Sequence, residues 1–570
     1  MSIRSAQSVS VAIVLSLSLC CQAQSSRPLT FSVHPIGVSQ ARLIDAAPAA
    51  YERARGLASA RMDLTVISRV NNAKRAGFAF VAGGKVSAEL LPGETFEFVG
   101  DGVEAHDELS QSWLGHSRDE EGFLVLTARG GRLVGQASIG ARRFKLHGAI
   151  DGRVVIREEF PEVGGDCANE FDVAADIATS SDAKLGSNRV DAKALPVSSR
   201  TLDVLVTFSD EAQAHFGNNF LASIDNLAAT MVQSFSAAGL SGGVRIVGYR
   251  RVAASNGLDG ASQVSTDLDE LHASTAPFAS LSTWRNDLGA DLVVHLVHLG
   301  TSAGACGISR TRVTGSTANG VFGAVVGVNC PTSQHVFTHE IGHLLGGQHS
   351  THFDGVDPPF TNNATFFGAL LWRASLGYTQ PSENGFRTLM GNGTGGSTVC
   401  TFASGCPRIN RWSSPTQSSL LNGTTQPLGF SYVDPLGTPR TTNMVQTLGG
   451  YFDPVMGIAW SGSIVLVAAN RAPNTSIPAA VTGLSVSNCV GTLNADWVGP
   501  GGTVGWYEWG RTSTPLSTVP NFLPTGRTAT PNALMSVGSQ SSYFHVAACN
   551  SAGCSAYQSA GPIYYSTSCL

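Results

Sequence analysis

Charge is scarce in this chain. Only 14% of its 570 residues are Asp, Glu, Lys or Arg, the formal net charge is −5, and like charges form no blocks. Binding to nucleic acid or to an anionic membrane surface needs clustered Lys and Arg, so neither is expected. Long apolar runs are lacking too. Val9–Leu19 is interrupted by serines and too short to cross a bilayer, and no later segment has an unbroken run of membrane length. No glycine-rich phosphate loop follows the apolar run Leu202–Phe208, which removes a dinucleotide-binding reading of the strand–helix pattern after it.

What is present is length and glycine. A chain of 570 residues is too long for one core, so two to four domains are expected, and 64 glycines with few charges give the composition of a soluble, loop-rich secreted protein. Arg4, the apolar stretch and Cys21-Gln22-Ala23 read as a signal peptide over residues 1–23. Cys20 and Cys21 raise a lipoprotein alternative, but Leu19 stands where such a site needs a small residue. Eight later cysteines fall into two sets: Cys306, Cys330, Cys400 and Cys406, then Cys489, Cys549, Cys554 and Cys569. Each set could close two disulfides in an oxidising compartment, most simply as Cys400–Cys406 and Cys549–Cys554.

The densest chemistry lies at His339-Glu340-Ile341-Gly342-His343-Leu344-Leu345-Gly346-Gly347-Gln348-His349, the long zinc pattern H-E-x-x-H-x-x-G-x-x-H. His339 and His343 are four apart and share a helix face, so they can bind one metal. Glu340 is placed to act on a water at that metal. Gly346 lets the helix stop and the chain turn, because glycine tolerates positive φ, and the turn brings His349 in as a third nitrogen ligand. Three protein ligands leave one position open, the layout of a catalytic zinc site. Phe337, Ile341 and Leu344 form a separate apolar stripe, and a helix is expected from about Gln334 to Leu345. His335, one turn before His339, is a weaker candidate ligand.

These residues resemble the metzincin clan of zinc endopeptidases. Phe386-Arg387-Thr388-Leu389-Met390-Gly391 looks like the clan's Met-turn, with Met390 beneath the metal. Within the clan the chain is similar to bacterial reprolysin-like (adamalysin-like) peptidases over roughly residues 200–450. The similarity rests on Leu202–Phe208, Gly289–Val294, Ala305-Cys306-Gly307-Ile308 and Arg408–Pro415. Ser350 stands where adamalysins usually carry Asp, and no Tyr lies two residues after Met390, so a tyrosine ligand there is not expected. The resemblance implies an α/β (α+β) catalytic domain over 199–470, with a mixed sheet and an active-site helix, and an edge strand near Val321–Val328 that pairs with extended substrate. It also places the wall of the main specificity pocket after Met390, where Gly391–Cys406 shows no charged selector.

Residues 24–198 read as a β-rich propeptide, with β-prone runs at Phe78–Val81, Gly122–Thr127, Lys145–Gly148 and Arg153–Arg157 and a polar linker at Asn169–Arg200. Cys167 is the odd cysteine there. It is either a zymogen zinc ligand that holds the enzyme inactive or an unpaired or intermolecular cysteine, since Gly164-Gly165-Asp166-Cys167-Ala168 matches no usual switch motif. The spacing then predicts a helix on Phe220, Ile224, Leu227, Met231 and Phe235 ending at Gly239, strands at Val244–Val252 and Leu292–Leu299, and a short helix at Ser265–His272. His295 and His298 are read as strand-face residues rather than ligands. Asp354, Asp357 and Asn362 offer calcium-type oxygens at a spacing that matches no known loop. Residues 476–570 resemble a fibronectin type III sandwich, an all-β module built around Trp497, with Phe544 where a Tyr is usual. Such a module would bind a surface or substrate, or simply stabilise the chain. The expected activity is hydrolysis of peptide bonds in proteins, with one catalytic Zn²⁺ on His339, His343 and His349 and Glu340 as general base and acid.

Overall fold

The computed structural model describes most of residues 79–159, then 201–252, 261–299, 306–310, 322–329, 333–347, 386–391, and most of 407–468 and 471–564, with strand pieces at 34–35, 54–61, 68–69 and 379–380.

The N-terminal part is a nine-stranded antiparallel sheet. Its strands are His34–Pro35, β1 Ala54–Arg61, β2 Lys85–Leu91, β3 Glu94–Asp107, β4 Ser110–Ser117, β5 Gly122–Arg129, β6 Arg132–Ile139, β7 Arg142–Ala149 and β8 Arg153–Glu159. From β2 to β8 each strand pairs with the next, so the sheet is a meander, and β8 then pairs back to β1. β5 is buried along its whole length, and its alternation explains why. Leu124 and Leu126 pack into the sheet's own core with Phe144, Leu146 and Ile156, whereas Phe123 and Val125 point into the core of the next domain. Of the expected β-prone runs, Phe78–Val81 yields only the two-residue strand Ala79–Phe80.

The central part is a five-stranded sheet flanked by helices. In chain order it runs β9 Thr201–Phe208, α1 Asp210–Phe216, α2 Phe220–Ala237, β10 Gly243–Arg251, α3 Ala261–Ala273, α4 Leu281–Leu288, β11 Leu292–Val297, β12 Gly307–Ser309, β13 Gly323–Gly327 and α5 Ser333–Leu344. The sheet order is β10-β9-β11-β13-β12, with β12 antiparallel to β13 and the other pairs parallel. The parallel strands read as continuous apolar runs because both faces are covered. The expected strands and the α2 helix form close to their predicted bounds. Gly239, with φ +71°, follows the end of α2. α3 starts four residues before the expected helix, and the short helices α1 and α4 lack a periodic apolar face long enough to announce them.

One expectation is corrected. The stretch Val321–Val328 supplies β13, but β13 is not the sheet edge, because β12 pairs along its outer side through Gly307–Val326 and Ser309–Ala324. Among the described residues, the sheet edge on this side is therefore Gly307–Ser309. Three residues are too few to leave a period-2 signature in sequence.

Beyond the central sheet, the helices Met444–Gly449 and Ser463–Ala468 add Met444, Leu448, Ile464 and Val467 to its core. The C-terminal part holds β14 Thr482–Cys489, β15 Thr492–Val498, β16 Trp506–Thr512, β17 Gly526–Thr528, β18 Asn532–Ser536, β19 Ser542–Asn550 and β20 Gln558–Ile563. β14-β15-β18 form one sheet, and β17-β16-β19-β20 align in another. Trp497 lies between them, edge-on to Tyr507 at 5.4 Å and against Phe544 at 6.1 Å. The local disulfide Cys549–Cys554 forms, and Cys306 is also disulfide-bonded.

Candidate metal centre

Helix α5 carries the first part of the motif. Every residue from His335 to Gly347 is buried, so this helix lies inside the protein rather than on its surface. Val336, Phe337, Ile341, Leu344 and Leu345 face the central core, and His339 and His343 share the remaining side. Their rings meet nearly perpendicular at 4.7 Å, and His339 Nε2 lies 3.1 Å from His343 Nε2.

The hydrogen bonds on the other nitrogens fix what those two atoms can do. His339 Nδ1 donates to the Leu389 carbonyl at 2.5 Å, and His343 Nδ1 donates to the Gly347 carbonyl at 2.8 Å. A carbonyl only accepts, so each Nδ1 carries the proton and each neutral ring presents a bare lone pair at Nε2. Burial pushes His343 down to about 4, against the pull of the Gly347 carbonyl and helped by the charge of Arg408, so the ring stays neutral at ordinary pH. Two lone pairs aimed at each other across 3.1 Å repel unless a cation lies between them. Tetrahedral zinc with nitrogen ligands at about 2.0–2.1 Å sets neighbouring ligand atoms about 3.3 Å apart. The spacing of the pair is compatible with two nitrogen ligands of one tetrahedral metal such as zinc, and carbonyls in these positions are the kind of partner that orients metal-binding histidines.

The methionine turn supports this pair from below. Leu389 supplies the carbonyl to His339, and Met390 is 1% exposed under the helix. A Cβ on Gly342 would lie 2.5 Å from Met390 Sδ and 3.1 Å from Trp412, so this motif position has room only for glycine. Gly346 adopts φ +92°, and Gly347 N donates to the Gly342 carbonyl at 2.8 Å, which closes the helix and starts the turn toward the third ligand position.

Glu340 is fully buried and is held by the edge strand. Ser309 Oγ donates to Glu340 Oε2 at 2.8 Å. A Cβ on Gly307 would lie 2.6 Å from Glu340 Oε1, so any side chain there would crowd that oxygen. The sequence reading missed both residues. Gly307 lies inside the matched stretch Ala305–Ile308 but was assigned no role, and Ser309 lies one residue past it.

The structure thus brings together Glu340, His339, His343, Gly346 and Met390. His349, Cys167, Asp354, Asp357 and Asn362 lie outside the described residues. His335 packs edge-on against Phe123 of β5, 5.9 Å between ring centres. His295 is buried within β11, with Thr207 Oγ1 3.0 Å from its Nδ1, as a strand-face residue would be.

Comparison with known proteins agrees with this geometry. Residues 198–413 match the reprolysin-type profile of metallo-peptidase family M12. A peptidyl-Asp metalloendopeptidase of Stenotrophomonas maltophilia is 24% identical over 373 residues, covering 63% of this chain and 81% of that protein. One of Xanthomonas campestris pv. campestris is 23% identical over 296 residues, covering 52% of this chain and 62% of its own. Among solved structures, metalloproteinase-II from Bacteroides fragilis overlaps 48% of this chain and 83% of its own at 11% identity, with a TM-score of only 0.30. With the histidine pair, its glutamate and the methionine turn all inside the matched span, residues 198–413 form a reprolysin-like metallopeptidase domain and the chain is a metalloendopeptidase.

Proposed function

We propose that this chain is a secreted, zinc-dependent endopeptidase made as a zymogen, with residues 24–198 as pro-region, 199–470 as a metzincin-type catalytic domain and 476–570 as a fibronectin type III-like domain. His339, His343 and His349 are the metal ligands in this reading. The observation that carries it is the 3.1 Å approach of two histidine Nε2 atoms whose Nδ1 atoms are both tied to carbonyls.

A zinc ion held there would lower the pKa of a water and polarise the scissile carbonyl. Glu340 then takes the proton from the attacking water and returns it to the leaving amine. Ser309 holds Oε2, and Oε1 lies against Gly307, where a side chain would crowd it. The sheet edge at Gly307–Ser309 offers backbone groups that can add an extended peptide as a further strand, which would lay its scissile bond beside Glu340.

The relatives are named for aspartyl peptides, and the same preference is carried to this chain. Arg387 and Arg408, both nearly fully buried, are joined by a backbone β-bridge, and the charge of Arg408 is felt at His343. Secretion fits the N-terminal sequence and the disulfides. Among the described residues no helix is long and apolar enough to cross a membrane.

The test is cleavage of casein and of a peptide library by the purified, processed protein. Activity lost on chelation, restored by zinc and absent in Glu340→Gln supports the reading. Full activity in Glu340→Gln overturns it. A library profile without enrichment for aspartate removes the substrate preference alone.

A further inference from the structure

Helix α2 has an apolar face toward the central sheet and a second face bearing Ser223, Asp225, Asn226, Thr230, Gln233 and Ser234. These six polar residues are all at most 4% exposed. In a domain standing alone, a polar helix face is the face turned to water. Here the N-terminal sheet covers Asp225, Asn226 and Gln233, while Trp412 and Asn410 of the central part cover Ser234 and Thr230. Ser110 Oγ and Arg129 Nε donate to Asp225 Oδ2 at 2.5 and 2.6 Å. Asn226 Nδ2 donates to the Val125 carbonyl at 3.2 Å and to Thr127 Oγ1 at 2.9 Å. Gln233 Nε2 donates to Asp101 Oδ2 at 2.7 Å.

A second row of contacts lies beside the first. Arg411 Nε donates to both carboxylate oxygens of Glu121 at 3.0 and 3.2 Å, and Arg143 donates to the Arg408 carbonyl at 3.1 Å. Leu114, Phe123 and Val125 enter the central core between the two rows. The C-terminal part ties into the same node. Asp107 of β3 accepts from Arg129 and, at 2.6 Å, from Arg527, which also donates to Glu508 at 2.5 Å. The backbone joins as well, since Tyr249 N of β10 donates to the Gly505 carbonyl at 3.0 Å.

We propose that the polar face of α2 is a docking surface for the chain's own N-terminal sheet, and that the sheet remains bound as a noncovalent partner after the segment joining β8 to β9 is cut. Every contact above lies outside that segment, so cutting removes a tether and none of these bonds. Buried carboxylates and guanidiniums are matched across the contact, and separation must break several charge-assisted bonds together. The face is also suited to its state without a partner, because Asp225, Asn226 and Gln233 are readily hydrated once uncovered. A polar surface whose charged groups are paired across the contact fits a partner that folds apart and binds tightly. A purely apolar face would fit one that can never leave. The sheet sits on α2, and Phe123 reaches the first turn of α5 at His335, so the bound sheet also braces the helix that carries His339 and His343.

The inference does not depend on the catalytic reading, and its test is run without activity. A recognition sequence for a site-specific protease is inserted within residues 169–200 of the full chain carrying Glu340→Gln, which prevents self-cleavage. After complete cutting, size-exclusion chromatography and denaturing gels report whether the two pieces travel together. The expected result is one species at the uncut elution volume containing both pieces. Asp225→Ala with Arg129→Ala is expected to weaken the association by roughly 30-fold or more, read by dilution in analytical ultracentrifugation. Should that pair fail to fold before cutting, Asn226→Ala with Gln233→Ala probes the same face more gently. Separate elution of the unsubstituted pieces overturns persistence. Unchanged affinity in the folded substituted proteins overturns the α2 face as the docking surface.

Discussion

Ser309 Oγ lies 2.8 Å from Glu340 Oε2 and 3.1 Å from the Glu340 carbonyl, so its single hydrogen, given chiefly to the nearer carboxylate oxygen, ties the edge strand to Glu340. The carboxylate is thereby kept in one rotamer, with Oε1 lying against Gly307. Ser309→Ala frees that rotamer without touching a metal ligand. It should lower kcat by about 10-fold, within the usual range for a misplaced general base, and leave KM nearly unchanged. Ser309→Thr, which retains the hydroxyl, should recover most of the rate. Steady-state kinetics on one peptide, with zinc content measured in parallel, checks this. A rise in KM at constant kcat would count against it.

Gly342 is enclosed by Met390 and Trp412. Gly342→Ala places a methyl group 2.5 Å from Met390 Sδ, and neither neighbour is at the surface. Overpacking of this kind costs about 1–3 kcal/mol. A lower urea midpoint and a lower zinc occupancy are expected together, because the displaced Met390 lies next to Leu389, whose carbonyl orients His339. Met390→Leu, similar in volume, should cost less than about 1.5 kcal/mol.

Gly307 makes a sharper test of the edge strand. Its Cβ position lies 2.6 Å from both Glu340 Oε1 and Val336 Cγ1. Gly307→Ala should therefore lower kcat more than Ser309→Ala does, since it crowds the oxygen that receives the proton rather than the one that is held. Equal or smaller loss would show that Oε1 is not the working oxygen.

Stability should fall in acid through His295. Burial pushes this ring from 6.5 down to about 3, beside Phe278 at 4.9 Å and Thr207. A group whose pKa is depressed on folding binds its proton more readily when unfolded. Its contribution is present above 6.5 and is lost as pH falls toward 3. Each pH unit in that window removes up to about 1.4 kcal/mol per such ring. Urea midpoints at several pH values should decline from pH 7 to pH 4, and the decline should be shallower in His295→Leu. A parallel decline in both proteins would exclude His295 as a source.

Much of the catalytic segment was legible because its signals are local. The spacing of His339, Glu340 and His343 encodes a shared helix face, and the periodicity of Phe220, Ile224, Leu227, Met231 and Phe235 encodes α2. What escaped depends on contacts distant in sequence. Ser309 and Glu340 are 31 residues apart, and nothing in a three-residue strand announces that it forms the sheet edge. The periodicity of α2 likewise reports its apolar face and is silent on what covers Asp225, whose partner Arg129 lies 96 residues upstream. The short helix Leu281–Leu288 escaped because it offers too few apolar positions to show a period.

Zinc content is the most direct measurement of the central claim. The purified protein and its His339→Ala, His343→Ala, His349→Ala and Glu340→Gln variants are analysed by elemental mass spectrometry after exhaustive dialysis, each first shown to be folded. The account predicts one zinc per chain in the unsubstituted protein and in Glu340→Gln, and a large loss in each histidine variant. A folded, unsubstituted protein that holds no zinc when supplied with it, or a His339→Ala, His343→Ala double variant that retains a full equivalent, would contradict it.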